Sequence, residues 1–205
     1  MPTRRRARVP PKDSRQRLIA AALDLAAEQG WRRTGIAEIA AAAKVPLDET
    51  YRLFRSKSAI LTGFRHQVDE AVLAGGVPAA SDPPRDRLFE VLMRRFEVLK
   101  PHRAALKVIL RDSIGDPAVI KGLVGLLRSM SWSLAAAGLP NTGCRGRIAT
   151  RMVAALYLSV LPVFLRDKGT DLGSTMAALD RRLHQAEMVL GSFTPIVERV
   201  RKSRT

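Results

Sequence analysis

Apolar residues recur at three- and four-residue steps along almost the whole chain, and alternation of the strand type survives for only a few residues anywhere. The spacing predicts a helix from Ser14 to Gly30, where Leu18, Ala22, Leu25 and Ala26 line one face, with Asp13 or Ser14 as cap. Gly30 stands where a left-handed residue ends a helix. A short helix is expected from Thr34, as N-cap, to Ala43, with Ile36, Ile39 and Ala40 inward. After the break Lys44-Val45-Pro46, another short helix runs from about Leu47 to Arg55. Pro46 suits this break because the N–H it lacks would be unpaired in a first turn. A longer helix follows from Ser58 to Leu73.

Residues 75–84 are rich in Gly, Pro, Ala, Ser and Asp and read as the boundary between two lobes. Beyond them, five helices are expected, roughly Arg85–Leu99, Pro101–Asp112, Pro117–Ala137, Gly146–Asp167 and Leu172–Val200. The layout is therefore all-α. It has a basic arm at residues 1–13 expected to be disordered and a helix-turn-helix domain at 14–61 whose connecting helix reaches about residue 74. A helical domain follows at 84–200.

Composition sharpens this picture. Lys and Arg number 35 against 19 Asp and Glu in 205 residues, a formal charge of +16, which makes nucleic acid or an anionic surface a reasonable partner. The excess is spread over both halves of the chain, so it does not by itself locate a binding face. The single Cys144 excludes an internal disulfide framework or a Cys-based zinc site, and a reducing, cytoplasmic compartment is expected. The apolar run Met152–Leu165 is shorter than the ~20 residues a membrane span needs and is expected to be a buried helix. His66, His102 and His184 are scattered and no HExxH, GxSxG, Walker A or Rossmann pattern occurs, so no enzyme activity and no cofactor or metal is expected.

The segment Arg17–Leu61 resembles the DNA-binding domain of the TetR family of bacterial repressors. The matching residues are Leu18-Ile19, Ala21-Ala22, Leu25, Gly30, Thr34-Gly35-Ile36, Ile39-Ala40, Val45, Tyr51, Phe54, Ser56-Lys57 and Ile60-Leu61, in ungapped spacing. The resemblance implies phosphate contacts by Thr34, Tyr51 and Lys57. Lys44 belongs to the same DNA-facing set, and base reading would fall to Leu47, Glu49 and Arg52. It also implies a homodimer on a palindromic operator. Met152, Leu156, Val160, Val163 and Phe164 are then interface candidates, and a small apolar effector would contact Phe96, His102, Met130, Trp132 and Tyr157. Three positions depart from the family pattern. Lys44 replaces a turn glycine, Asp48 and Glu49 replace small residues, and Thr50 replaces an apolar one. The two acids are open to three readings: helix capping, base reading, or lost DNA binding.

A second resemblance covers the C-terminal half. Pro101-His102-Arg103, Trp132, Val163–Leu165, Asp167, Asp171, Thr175 and Leu179-Asp180-Arg181-Arg182 look like the TetR-fold lipid-binding accessory proteins of ubiquinone biosynthesis. That resemblance implies the alternative function, isoprenoid-lipid binding with weakened DNA binding.

Overall fold

The computed structural model describes the backbone of residues 11–116 and 118–202 and the side chains of 13–116 and 122–188. Among these, the chain is helical throughout and has no strand. The helices are α1 (Pro11–Gln29), α2 (Ile36–Ala42), α3 (Leu47–Leu53), α4 (Lys57–Ala74) and α5 (Pro84–Leu99). After a 3-10 turn at Lys100–His102 come α6 (Arg103–Asp112), α7 (Ala118–Ala136), α8 (Gly143–Arg166) and α9 (Gly173–Lys202). The all-α expectation holds, and the helix boundaries fall within a few residues of the periodicity.

The chain divides into two compact units. The first takes the residues up to Val68 together with Pro101–Gly125, and the second takes Asp69–Lys100 and the residues from Leu126 onward. In the first, α1 packs against α2, α3 and α6. Its core is the stripe Leu18, Ile19, Ala22 and Ala26 meeting Ile39 and Ala40 of α2, Phe54 beyond α3, and Ile60 and Phe64 of α4, all buried. α6, placed by the sequence pattern with the C-terminal lobe, belongs to this unit. In the second unit, α9 packs on α8 and on α5. Its core gathers Val91, Leu92 and Phe96 of α5, Met130 and Leu134 of α7, Val160 and Phe164 of α8, and Leu179 of α9.

Local details correct several expectations. Asp13 and Ser14 do not cap α1, which already includes Pro11; Ser14 is buried inside it. Residues 11–13 are thus helical, and the rest of the expected disordered arm lies outside the described residues, as do the expected helix start at Pro117 and the basic end from residue 203. Gly35, not Thr34, is the N-cap of α2, and its amide donates to the Glu38 carboxylate at 2.8 Å. α3 ends at Leu53 because Phe54 turns to extended backbone (φ −141°), which lets its ring enter the core. Gly63 of α4 approaches that ring so closely that a Cβ there would lie 2.8 Å from it.

Candidate nucleic-acid interface

The α2–α3 turn is built by backbone geometry. The Lys44 amide donates to Ala41 O at 3.0 Å and the Val45 amide to Ala40 O at 3.0 Å, a pair of bonds that closes a helix around one left-handed residue. That residue is Lys44, at φ +54°. Glycine adopts this conformation freely and lysine does so at a cost of about 1 kcal/mol. The Arg17 guanidinium of α1 donates to the carbonyls of Ala43 and Lys44, tying the turn to the domain core.

α3 is pinned from below by Thr50 and Phe54. Thr50 is fully buried, and its hydroxyl donates to Pro46 O at 3.0 Å. A polar residue therefore fits where the family pattern has an apolar one, because its hydroxyl finds a partner in the first turn. With this side fixed inward, Asp48, Tyr51 and Arg52 face solvent at i, i+3 and i+4 spacing, and Tyr51 is 51% exposed. Leu47 stands beside them, also exposed, whereas Glu49 is only half-exposed. The Arg52 guanidinium donates to the Asp48 carboxylate at 2.8 Å. Asp48, for which base reading was only one of three open readings, thus lies on the outward face, in the first turn of α3. The signal available in the sequence was its i, i+4 spacing from Arg52.

Two expected phosphate ligands are engaged within the protein. The Thr34 hydroxyl donates to Gly30 O at 2.8 Å and the side chain is buried, so Thr34 braces the α1–α2 connection. The Lys57 ammonium donates to Trp31 O at 2.6 Å and lies 4.6 Å from the centre of the Trp31 ring. Burial lowers the Lys57 pKa from its ordinary value, opposed by the carboxylates of Asp116, Asp112 and Glu38. Lys57 borders a cleft of about 350 Å³ with Trp31, Arg32, Asp112, Ile114, Gly115 and Asp116. Arg32 closes one side of it: its Nε donates to Asp112 O at 2.7 Å and its Nη2 to Ile114 O at 3.0 Å. The Asp112 pKa is lowered. Its burial acts the other way, and the hydrogen bonds from Arg111 and from the amides of Arg32 and Trp31 prevail.

The expected effector residues divide between the two units. In the second, Phe96 stacks on Tyr157 with ring centres 5.1 Å apart and lies 5.0 Å from Phe164. Met130 is buried and Trp132 half-buried in the same unit. His102 is not with them; it lies in the first unit, edge-on to Phe64 at 5.1 Å. Beside the aromatic stack, buried Arg95 meets buried Asp69 at 2.6 Å, and the Ser129 hydroxyl donates to the other Asp69 oxygen at 2.8 Å. Burial pushes the Tyr157 phenol up from its ordinary pKa, and neighbouring Arg95 opposes the shift.

Of the expected interface residues, Val160 and Phe164 are fully buried within their own unit, while Met152, Leu156 and Val163 are half-buried. Ile148 and Leu158, exposed on the same helix, were missed. α8 is long and apolar enough by composition to cross a membrane, and about a third of its most apolar stretch is buried among the described residues.

A helix-turn-helix unit with an outward third helix, carried on an all-α chain, is the architecture of a DNA-binding transcriptional regulator. Residues 18–63 match the family model for bacterial regulatory proteins of the tetR family. The fold is similar to that of a TetR transcriptional regulator from Nitrosomonas europaea (TM-score 0.70, 21% identity, covering 85% of this chain and 98% of that one). It is also similar to the structure titled SmeT-Triclosan complex (TM-score 0.57, 24% identity, 84% and 90%). NalD, described as the secondary repressor of the MexAB-OprM multidrug efflux pump in Pseudomonas aeruginosa, has a related fold (TM-score 0.54, 20% identity, 85% and 97%). No curated protein matches the sequence. The resemblance therefore has two parts, a tetR-family DNA-binding model over residues 18–63 and a fold shared with TetR-family structures along most of the chain.

Proposed function

We propose that the protein is a cytoplasmic repressor that binds a palindromic operator as a homodimer and is released by a small apolar effector. The observation that carries this reading is the α3 face. Tyr51, Asp48 and Arg52 project outward from a helix locked by buried Thr50 and Phe54, with exposed Lys44 at its entrance. Such a helix fits the major groove. Tyr51 and Lys44 then bind phosphate, and Arg52 and Leu47 meet base edges. Thr34 and Lys57 support this face from within the domain rather than from its surface.

One recognition helix covers too few base pairs for selectivity, so the reading requires two copies. Exposed Ile148 and Leu158 and half-buried Met152, Leu156 and Val163 of α8 supply apolar side chains for that contact. The aromatic stack of Phe96, Tyr157 and Phe164 supplies apolar walls for an effector, with the polar Arg95–Asp69 pair beside them. An effector acts by favouring a spacing of the two α3 helices that no longer matches successive grooves.

The test is a binding titration on the protein's own upstream region and on a scrambled duplex, at two salt concentrations, with wild type and Tyr51→Ala. Selective binding by wild type, weakened about tenfold or more by the substitution, is expected. Equal and salt-sensitive binding to both duplexes would reflect charge alone, and the lipid-binding alternative would then take its place.

A further inference from the structure

Asp48 places a carboxylate where a DNA-binding helix would meet a polyanion. Its partner is Arg52, at 2.8 Å, and the two side chains are 74% and 60% exposed. An exposed pair of this kind adds only about 0.3–0.5 kcal/mol to stability. Its geometric effect is larger. The bond engages Nη2 of Arg52 and restrains the guanidinium beside Asp48. Nη1 and the second Nη2 hydrogen remain as a two-pronged donor, the group that pairs with O6 and N7 of guanine. The carboxylate, still largely in solvent, can accept from the N4 amine of a cytosine.

The same charge acts against the wrong DNA. A chain of formal charge +16 binds any duplex through phosphates. A carboxylate on the contacting face repels those phosphates and is compensated only where Arg52 and a cytosine amine are both engaged.

We propose that Asp48 is a specificity-determining residue: it holds Arg52 for a guanine and penalises binding to unrelated sequence. The proposal rests on the DNA-binding reading above. It stands against lost DNA function as the meaning of this acid, and the experiment below separates the two.

The test uses full-length wild type, Asp48→Ala, Asp48→Asn and Arg52→Ala in selection from a random-sequence duplex pool. Each protein is then titrated on the duplex selected by wild type and on a scrambled one. Circular dichroism confirms that each variant is folded. Wild type is expected to enrich a two-fold symmetric site with a G·C pair in each half. Both Asp48 variants should bind the scrambled duplex several-fold more tightly. Their selected-to-scrambled ratio should fall by about tenfold, and they should lose the G·C preference that Arg52→Ala also loses. Retention of the wild-type motif and ratio in both Asp48 variants would overturn the proposal while leaving the DNA-binding reading intact. No enriched sequence with wild type itself would overturn both.

Discussion

Lys44 shows how one residue can serve a turn poorly and a surface well. Its left-handed backbone favours glycine, and the bonds that close the turn do not involve its side chain. Lys44→Gly is therefore expected to raise stability by about 0.5–1 kcal/mol, seen as a higher denaturant midpoint. The same change should weaken binding to duplex DNA and flatten its salt dependence by roughly one phosphate contact. A variant that binds with an unchanged salt slope would remove Lys44 from the DNA face. The turn itself was legible from sequence spacing, and the outward role of Tyr51 came only from the family resemblance. The internal engagement of Thr34 and Lys57 was not legible. It depends on where Gly30 O and Trp31 O come to lie, and spacing along one helix does not encode that.

Between elements, the decisive feature of the second unit is the buried ion pair. Asp69 comes from α4, Arg95 from α5 and Ser129 from α7, so a single carboxylate joins three helices. Removing one member leaves an uncompensated buried charge. Asp69→Ala is expected to cost about 3–5 kcal/mol in urea unfolding. The double variant Asp69→Leu with Arg95→Met should recover most of that loss, because two apolar side chains need no compensation. A double variant as unstable as the single one would show that the pair itself, not the orphaned charge, sets stability. Periodicity located α4, α5 and α7 to within a few residues. It could not match Asp69 with Arg95, because the period of each helix does not say which residue of another helix a polar side chain will meet.

For the whole molecule in the proposed role, oligomeric state is the quantity that matters. Ile148 and Leu158 of α8 are exposed apolar side chains within one chain, and the proposed operator binding needs two chains. Leu158, exposed on that helix, is the position to change. Leu158→Glu is expected to shift sedimentation from dimer to monomer at micromolar concentration. It should also reduce affinity for a palindromic site by about a hundredfold or more, while leaving far-ultraviolet circular dichroism unchanged. A wild type that sediments as a monomer would contradict the dimer.

The sequence by itself determined the helices, their order, and the helix-turn-helix resemblance at residues 17–61, which the family model matches over residues 18–63, because helical period and turn residues are local properties. Tertiary structure alone decided that α6 belongs with the N-terminal helices and that His102 meets Phe64 in that unit. In each case the outcome depends on which buried neighbour claims a side chain or a helix face. That is a property of packing among segments far apart in the chain, and it leaves no period in the sequence.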